Sequence, residues 1–294
     1  MKTLMFMAVL ALASGAFALT PLPPSLAALP MAEGEAPVAR ELCPGLTYHG
    51  LRLANYTGDG PLAVHFLVVD WKAAKGSLTL GVVPGKGGNR SRPSDLVNAT
   101  PRAVAAVNGV FHQMTDPYLA FYARKIDGAV SPSKHAGGDG CLAFNRGEMP
   151  YVGSFKKEML EKYANLLSAD GMPDIDPREA KMTRAERQRR RAPRTFAGNV
   201  TTNGLTVIGV ADGRQAASTG LTYGEVNRLL GAWGCDRMTN LDGGGSSVMI
   251  LTGTDLAGRV RNGRAKIMNV PSDGLPLRSV ERRVSESLMI LRTK

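Results

Sequence analysis

The chain has 294 residues, 44% of them hydrophobic, and a formal net charge of +11. That apolar content is ordinary for a globular protein with a real core, and the length allows one large domain or two small ones. Much of the basic excess lies in one segment instead of recurring with aromatic residues. It therefore argues against a nucleic-acid binder and fits attraction to an acidic polymer or a phosphate-bearing substrate.

In chain order, Met1-Lys2 is a positive start, Leu4 to Leu12 is an apolar run, and Ala16-Phe17-Ala18 is a small-residue cleavage site. Residues 1–18 thus read as a secretory signal peptide, which places the mature chain outside the cytoplasm, secreted or periplasmic. The alternative is an uncleaved anchor, but Ser14 and Gly15 interrupt the run before the about 18–20 apolar residues that a span requires. No other stretch is long and apolar enough to cross a membrane. Residues 19–45 are rich in Pro and Ala and read as a linker or loosely packed arm, with the folded domain at 46–294. Oligomeric state is not legible.

Ala63–Asp70, Leu78–Val83 and Ala103–Val107 read as strands, with His65 a packed strand residue. Ser94 to Val97 reads as a short helix start capped by Ser94. Asn108-Gly109 ends the third strand and puts an amide side chain at the sheet rim, or is a plain turn. Ile126-Asp127-Gly128 and Asn145-Arg146-Gly147 read as hairpin turns. Residues 156–191 break the pattern: Lys156–Leu167 fits an amphipathic helix, and Met182–Arg191 is a basic run expected on a solvated surface. Together they look like an insertion. Leu205–Val210 is a buried strand, Ala211-Asp212-Gly213-Arg214 its turn, and Thr222 to Glu225 a capping box opening a helix. Cys43, Cys141 and Cys235 are too far apart for a zinc motif and read as small buried hydrophobes, with a single disulfide between two of them open.

The stretch Asn240 to Ser247 carries the strongest signal. A carboxylate precedes Gly243-Gly244-Gly245 and two serines, and strand-like residues follow. Three glycines in a row are costly to order, so they imply close approach to the backbone or positive φ. Amides in such a turn, with Ser246, can cradle an anion. A glycine hairpin between strands is the plain alternative. The stretch is neither a Walker A loop nor a nucleophile elbow, since the residues those require are missing.

Arg194-Thr195-Phe196-Ala197-Gly198, Ala211-Asp212-Gly213, Gly220-Leu221-Thr222 with Glu225, and Asn240-Leu241-Asp242-Gly243-Gly244-Gly245-Ser246 occur in that order. Together they resemble the phosphodiester glycosidase domain family. The likeness is tight over residues 192–252 and looser through Asn108-Gly109, Ile126-Asp127-Gly128 and Glu281-Arg282-Arg283-Val284. It implies a single α+β domain of mixed twisted sheets with flanking helices, and hydrolysis of the anomeric bond of a sugar-1-phosphodiester in an envelope or extracellular glycan. The chain departs from the family pattern at Val110, Phe111 and His112, where a glycine and an aromatic pair are usual, and at Phe196.

Such a reaction expels a phosphomonoester, so it needs a phosphate clamp and a carboxylate near the anomeric carbon more than a strong acid. On this reading Arg194 clamps phosphate bidentately, and Thr195 positions it. Gly243, Gly244, Gly245 and Ser246 complete the cradle. Asp242 is the leading carboxylate, and Asn108 binds the sugar or phosphate. Asp212 and Glu225 are further catalytic candidates, against plainer roles as a turn residue and a capping partner; His112 reads as incidental. No metal or cofactor motif is present, although acids near the glycine loop leave Ca²⁺ open. Two rivals stand beside this reading: a phosphodiesterase cutting the P–O bond, and a non-catalytic carbohydrate or envelope-polymer binding protein.

Overall fold

A computed structural model describes residues 19–115, 118–169, 183, 185–186, 190–253, 259–260, 263–273 and 279–294. The signal-peptide reading and most of the basic run lie outside these residues.

Leu62–Asp70 is apolar on both faces, a pattern that is stable only in a strand covered from both sides. It is the third strand (β3) of a six-stranded sheet. The others are β1 (Val38–Cys43), β2 (Leu46–Leu53), β11 (Arg194–Val200), β12 (Leu205–Ala211) and β13 (Arg237–Asn240), in the order β1-β2-β3-β12-β11-β13. A second sheet runs β7-β6-β10-β8-β9, from β6 (Arg124–Ile126), β7 (Ala129–Ser131), β8 (Gly140–Phe144), β9 (Tyr151–Ser154) and β10 (Asn165–Ala169). A third runs β15-β16-β14-β5-β17-β4, from β4 (Leu78–Pro84), β5 (Ala103–Asn108), β14 (Met249–Thr252), β15 (Arg259–Val260), β16 (Ala265–Ile267) and β17 (Glu286–Arg292). Helices are few and short, so the α+β expectation holds with the balance strongly toward sheet.

One core joins the sheets. Leu67, Val69, Ile208 and Val210 of the first meet Leu142, Phe144 and Leu167 of the second and Ala105, Val107, Leu251 and Leu288 of the third. The other face of the first sheet is covered by the helix Tyr223–Ala232 through Val226, Leu229 and Leu230. That helix opens with the expected capping box, Thr222 accepting from the Glu225 amide and Glu225 from the Thr222 amide. On that face Phe196 packs against Phe66, ring centroids 6.3 Å apart, and over Gly209, whose missing side chain leaves the ring its space. The large residue after Thr195 therefore points away from Thr195's side of the sheet.

The hairpin at Asp127-Gly128 is as read: both residues have positive φ, and β6 pairs antiparallel with β7. Four expectations need correction. The arm 19–45 is not loose: Leu26 is buried against the second core, and Val38–Cys43 is a paired strand. The first helix of the third sheet spans Pro93–Asn98 with Pro93 in its first turn; Ser94 does not cap it but donates to Glu281 through its amide at 2.6 Å and its hydroxyl at 2.5 Å. Lys156–Leu167 is helical only over Met159–Lys162. Beyond it the chain enters β10 between β6 and β8, where Leu166 and Leu167 bury toward opposite faces. Two-sided burial overrides the helical period there. Finally, the basic run is not all solvated. Arg191 is buried, paired with Asp59 at 3.3 Å and with Glu225, and donates to the Gly220 carbonyl at 2.7 Å. The cysteines are all free, with Cys141 and Cys235 buried.

Removing Arg191 would leave two carboxylates without their buried cation, a loss of about 3–5 kcal/mol for a broken internal pair. Urea unfolding of Arg191→Ala should show a lowered midpoint of that order. An unchanged midpoint would mean the cluster contributes nothing.

Candidate functional site

The chain crosses from the first sheet to the third between Asn240, the end of β13, and Met249, the start of β14. The glycine stretch is that crossing, so the plain hairpin alternative does not apply.

Asn108, at the end of β5, fastens the crossing. Its amide nitrogen donates to the Asp242 carbonyl at 2.6 Å, and its oxygen accepts from Thr195 Oγ1 at 2.7 Å and the Val248 amide at 3.2 Å. Asn108 and Thr195 are both fully buried. The structure thus gives Asn108 an internal partner on each side in place of a sugar or phosphate, and Thr195 holds Asn108, not Arg194. The Asp242 amide donates to the Gly109 carbonyl at 3.0 Å, completing the seam.

The loop amides are largely engaged inside the protein. Gly244 donates to the Pro193 carbonyl at 2.8 Å, Ser246 to Gly243 and Ser247 to Gly244, while the Gly243 amide lies beside the Asp242 carboxylate and lowers its pKa. Charge around the loop comes instead from arginines: the guanidinium groups of Arg214 and Arg282 lie against Gly244 and Gly245, and the Arg194 stem passes Gly243. A side chain on Gly243 would press on the Pro193 carbonyl at 3.0 Å, with the Arg194 stem beyond it in ordinary contact at 3.8 Å; one on Gly244, at φ 62°, would meet Arg214 at 3.3 Å; one on Gly245 would collide with Arg282. Gly244 and Gly245 thus let two guanidinium groups close on the turn, while Gly243 leaves room for the Pro193 carbonyl. Arg194 is itself held by the Leu221 carbonyl at 3.0 Å and the Arg190 carbonyl at 3.0 Å, with its guanidinium 4.1 Å above the Tyr223 ring. Arg282 is paired with Asp273 at 2.7 Å.

The Asp242 side chain is 14% exposed and lies 3.8 Å from His112 Nδ1. Burial raises its pKa to about 7, with the Ser246 hydroxyl and Arg282 pulling it down and Glu286 pushing it up. Asp212 is buried and titrates at about 6, again raised by burial. Its carboxylate accepts from Asn269 Nδ2 at 2.9 Å and the Val270 amide at 3.0 Å, and Asn269 donates in turn to the Ser247 carbonyl at 3.1 Å. Asp212 therefore braces the exit of the loop. Glu225, 1% exposed, is taken up by Thr222 and Arg191. Of the three carboxylates singled out from sequence, the structure brings only Asp242 to the arginine-lined turn.

Sequence reasoning missed Glu286, which is fully buried, accepts from the Val110 amide at 2.9 Å and pairs with Arg124. Gly109 is a glycine because a side chain there would run into Glu286. It also missed Arg214, Asn269 and the place of Arg282. Val110, one of the departures from the family pattern, is buried in the shared core. Among the described residues no three His, Cys, Asp or Glu side chains are grouped to hold a metal ion.

Residues 101–291 match the phosphodiester glycosidase family. The chain belongs to that family. No curated protein matches the sequence. Among solved structures, the fold is similar to the catalytic domain of zebrafish N-acetylglucosamine-1-phosphodiester alpha-N-acetylglucosaminidase auto-inhibited by pro-peptide, at 17% identity and TM-score 0.62 over 90% of this chain and 87% of that one. It is also similar to a putative exported protein from Burkholderia pseudomallei, at 14% identity and TM-score 0.64 over 95% and 100%. A hypothetical protein from Synechocystis matches at 12% identity and TM-score 0.58 over 88% and 64%. Family membership and these likenesses agree on the fold.

A carboxylate whose folded pKa is raised is a liability when ionised. Between about pH 4, where an unfolded Asp titrates, and about pH 7, the folded state holds the extra proton, so stability from this group falls as pH rises. Asp242→Asn should therefore melt several degrees higher than the parent at pH 8 and show no gain at pH 4. A lower melting temperature at pH 8 would show that Asp242 is stabilising and its pKa not raised.

Proposed function

We propose that this protein is an exported hydrolase that cleaves the anomeric C–O bond of a sugar-1-phosphodiester in an envelope or extracellular glycan. The observation that carries the reading is the placing of one weakly solvated carboxylate, Asp242, on a glycine turn against which the guanidinium groups of Arg214 and Arg282 lie, with the Arg194 stem beside it. Arginines of that number on one turn suit a phosphodiester anion, which guanidinium groups meet through paired N–H donors. A carboxylate beside an anion is an odd choice for binding alone. It is useful where positive charge develops at an anomeric carbon or where water must be deprotonated.

In this mechanism Arg194, Arg214 and Arg282 bind the phosphate and stabilise the charge that gathers on it as the C–O bond breaks. The leaving phosphomonoester is already stable as an anion, so no strong acid is required. Asp242 takes the proton of the attacking water or shields the oxocarbenium-like centre. Asn108 and Thr195 keep Asp242 in register without touching substrate, and Asp212 through Asn269 does the same for the far end of the loop. Export is supported by the leader-like residues 1–18 and by the exported neighbour in Burkholderia. No helix of the described residues is long and apolar enough to cross a membrane.

Sugar release from N-acetylglucosamine-1-phospho-alkyl and glucose-1-phospho-alkyl diesters tests this directly. Release is expected from the parent and lost in folded Asp242→Asn. Arg282→Gln, which keeps much of the length but removes a charged donor, should lower kcat/KM by about 10–100-fold. Equal activity in Asp242→Asn would move the catalytic carboxylate elsewhere.

A further inference from the structure

His112 stands where it has no structural reason to be a histidine. Its side chain is 1% exposed, and neither ring nitrogen has a hydrogen-bond partner; the Val110 backbone lies beside the ring without meeting hydrogen-bond geometry. Buried histidines usually satisfy at least one nitrogen. The other two buried histidines of this chain obey that rule: His49 Nε2 lies 2.9 Å from the Thr20 carbonyl, and His65 Nδ1 lies 2.8 Å from the Tyr48 hydroxyl. What His112 does face is Asp242, with Nδ1 3.8 Å from Oδ2.

We propose that His112 is the proton-exchange partner of Asp242, accepting at Nδ1 the proton that Asp242 takes from the attacking water. The inference rests on the glycosidase reading of the Asp242 site. As water adds to the anomeric carbon, the C–O bond breaks and its electron pair leaves on the phosphate oxygen. The water proton passes to Asp242 Oδ2. His112 then takes it, which restores the carboxylate and forms an imidazolium. That proton is released to solvent as the phosphomonoester departs, so the sum is diester plus water giving sugar plus phosphomonoester. The present separation is longer than a hydrogen bond, and such contacts tighten when a reaction complex forms.

The surroundings keep the ring neutral and so open to a proton, and because Asp242 is the stronger base of the two the imidazolium is a transient that gives its proton up readily. Burial lowers the pKa of His112, and Arg90 and Arg282 lower it further, while Glu286 opposes them with its charge partly matched by Arg124. The ring is therefore neutral at neutral pH and has an open lone pair beside an acid of raised pKa. On this proposal Asp242 and His112, 3.8 Å apart, hold their first proton as a pair, not as two independent groups. His112 acts through Asp242 and is in this sense a positioning residue.

The pairing is read out without substrate by following the side-chain nitrogen signals of the four histidines against pH in the full-length protein. His112 is expected to show, besides its own protonation, a second step that follows the ionisation of Asp242 and is absent in Asp242→Asn. An unchanged His112 titration in that variant would overturn the pairing. In turnover, His112→Phe should fold, keep KM within about twofold and lose kcat about tenfold or more, since acid–base assistance carries factors of that size and upward. An unchanged kcat would overturn the exchange role even if the titrations are coupled. A parent that releases no sugar would count against the glycosidase reading itself, and the nitrogen titration would still decide the pairing.

Discussion

The hydrogen bonds of the Asn108 side chain hold this site together. They tie the end of a third-sheet strand to the Asp242 carbonyl, to Thr195 of the first sheet and to Val248 on the far side of the glycine loop. The Asn108 side chain is itself fully buried, so each bond removed would leave an unsatisfied polar group in a dry interior. The crossing between sheets is therefore not a free loop. It is a backbone segment clamped at both ends, by Asn108 near Asp242 and by Asn269 with Asp212 near Ser247. A carboxylate on such a segment is held rigidly enough to act as a reagent.

The second constraint is electrostatic. Asp242 lies in a setting where burial favours its neutral form, and the nearby Arg282 guanidinium pulls the balance back. A group that would bind a phosphodiester thus also keeps the carboxylate within reach of ionisation near neutral pH. Arg282 faces both demands, because it sits against Gly245 and lowers the pKa of Asp242. Glu286 works in the other direction, and its pairing with Arg124 limits how far. The charge pattern is a balance of several buried groups, which is why no single one of them defines it.

Much of this was legible from sequence where the signal is local. The capping box at Thr222, the hairpin at Asp127-Gly128, the buried strand at Leu205–Val210 and the tight glycine turn after Asp242 are set by residues within a few positions of one another. What escaped was set by contacts distant in sequence. Glu286 is an ordinary strand residue until β17 pairs with β5 and places it under Gly109. Arg282 belonged to a recognisable segment, but only the folded chain lays it on Gly245. Leu166 and Leu167 fit a helical stripe in isolation and became strand because a gap between β6 and β8 buried both faces. Arg191 looked like the end of a solvated basic run, yet Asp59 and Glu225 draw it inward. Asn108 stands at the sheet rim, as its strand-ending position implies, but it does not reach for substrate, because its amide is engaged with the protein's own backbone.

The most direct test of the account is the fate of the solvent oxygen. Hydrolysis of a sugar-1-phosphodiester in ¹⁸O-water should place the label on the anomeric hydroxyl of the released sugar and leave the phosphomonoester unlabelled. Label on the phosphate would show that the P–O bond is cut, and the assignment of Asp242 to the anomeric carbon would be wrong.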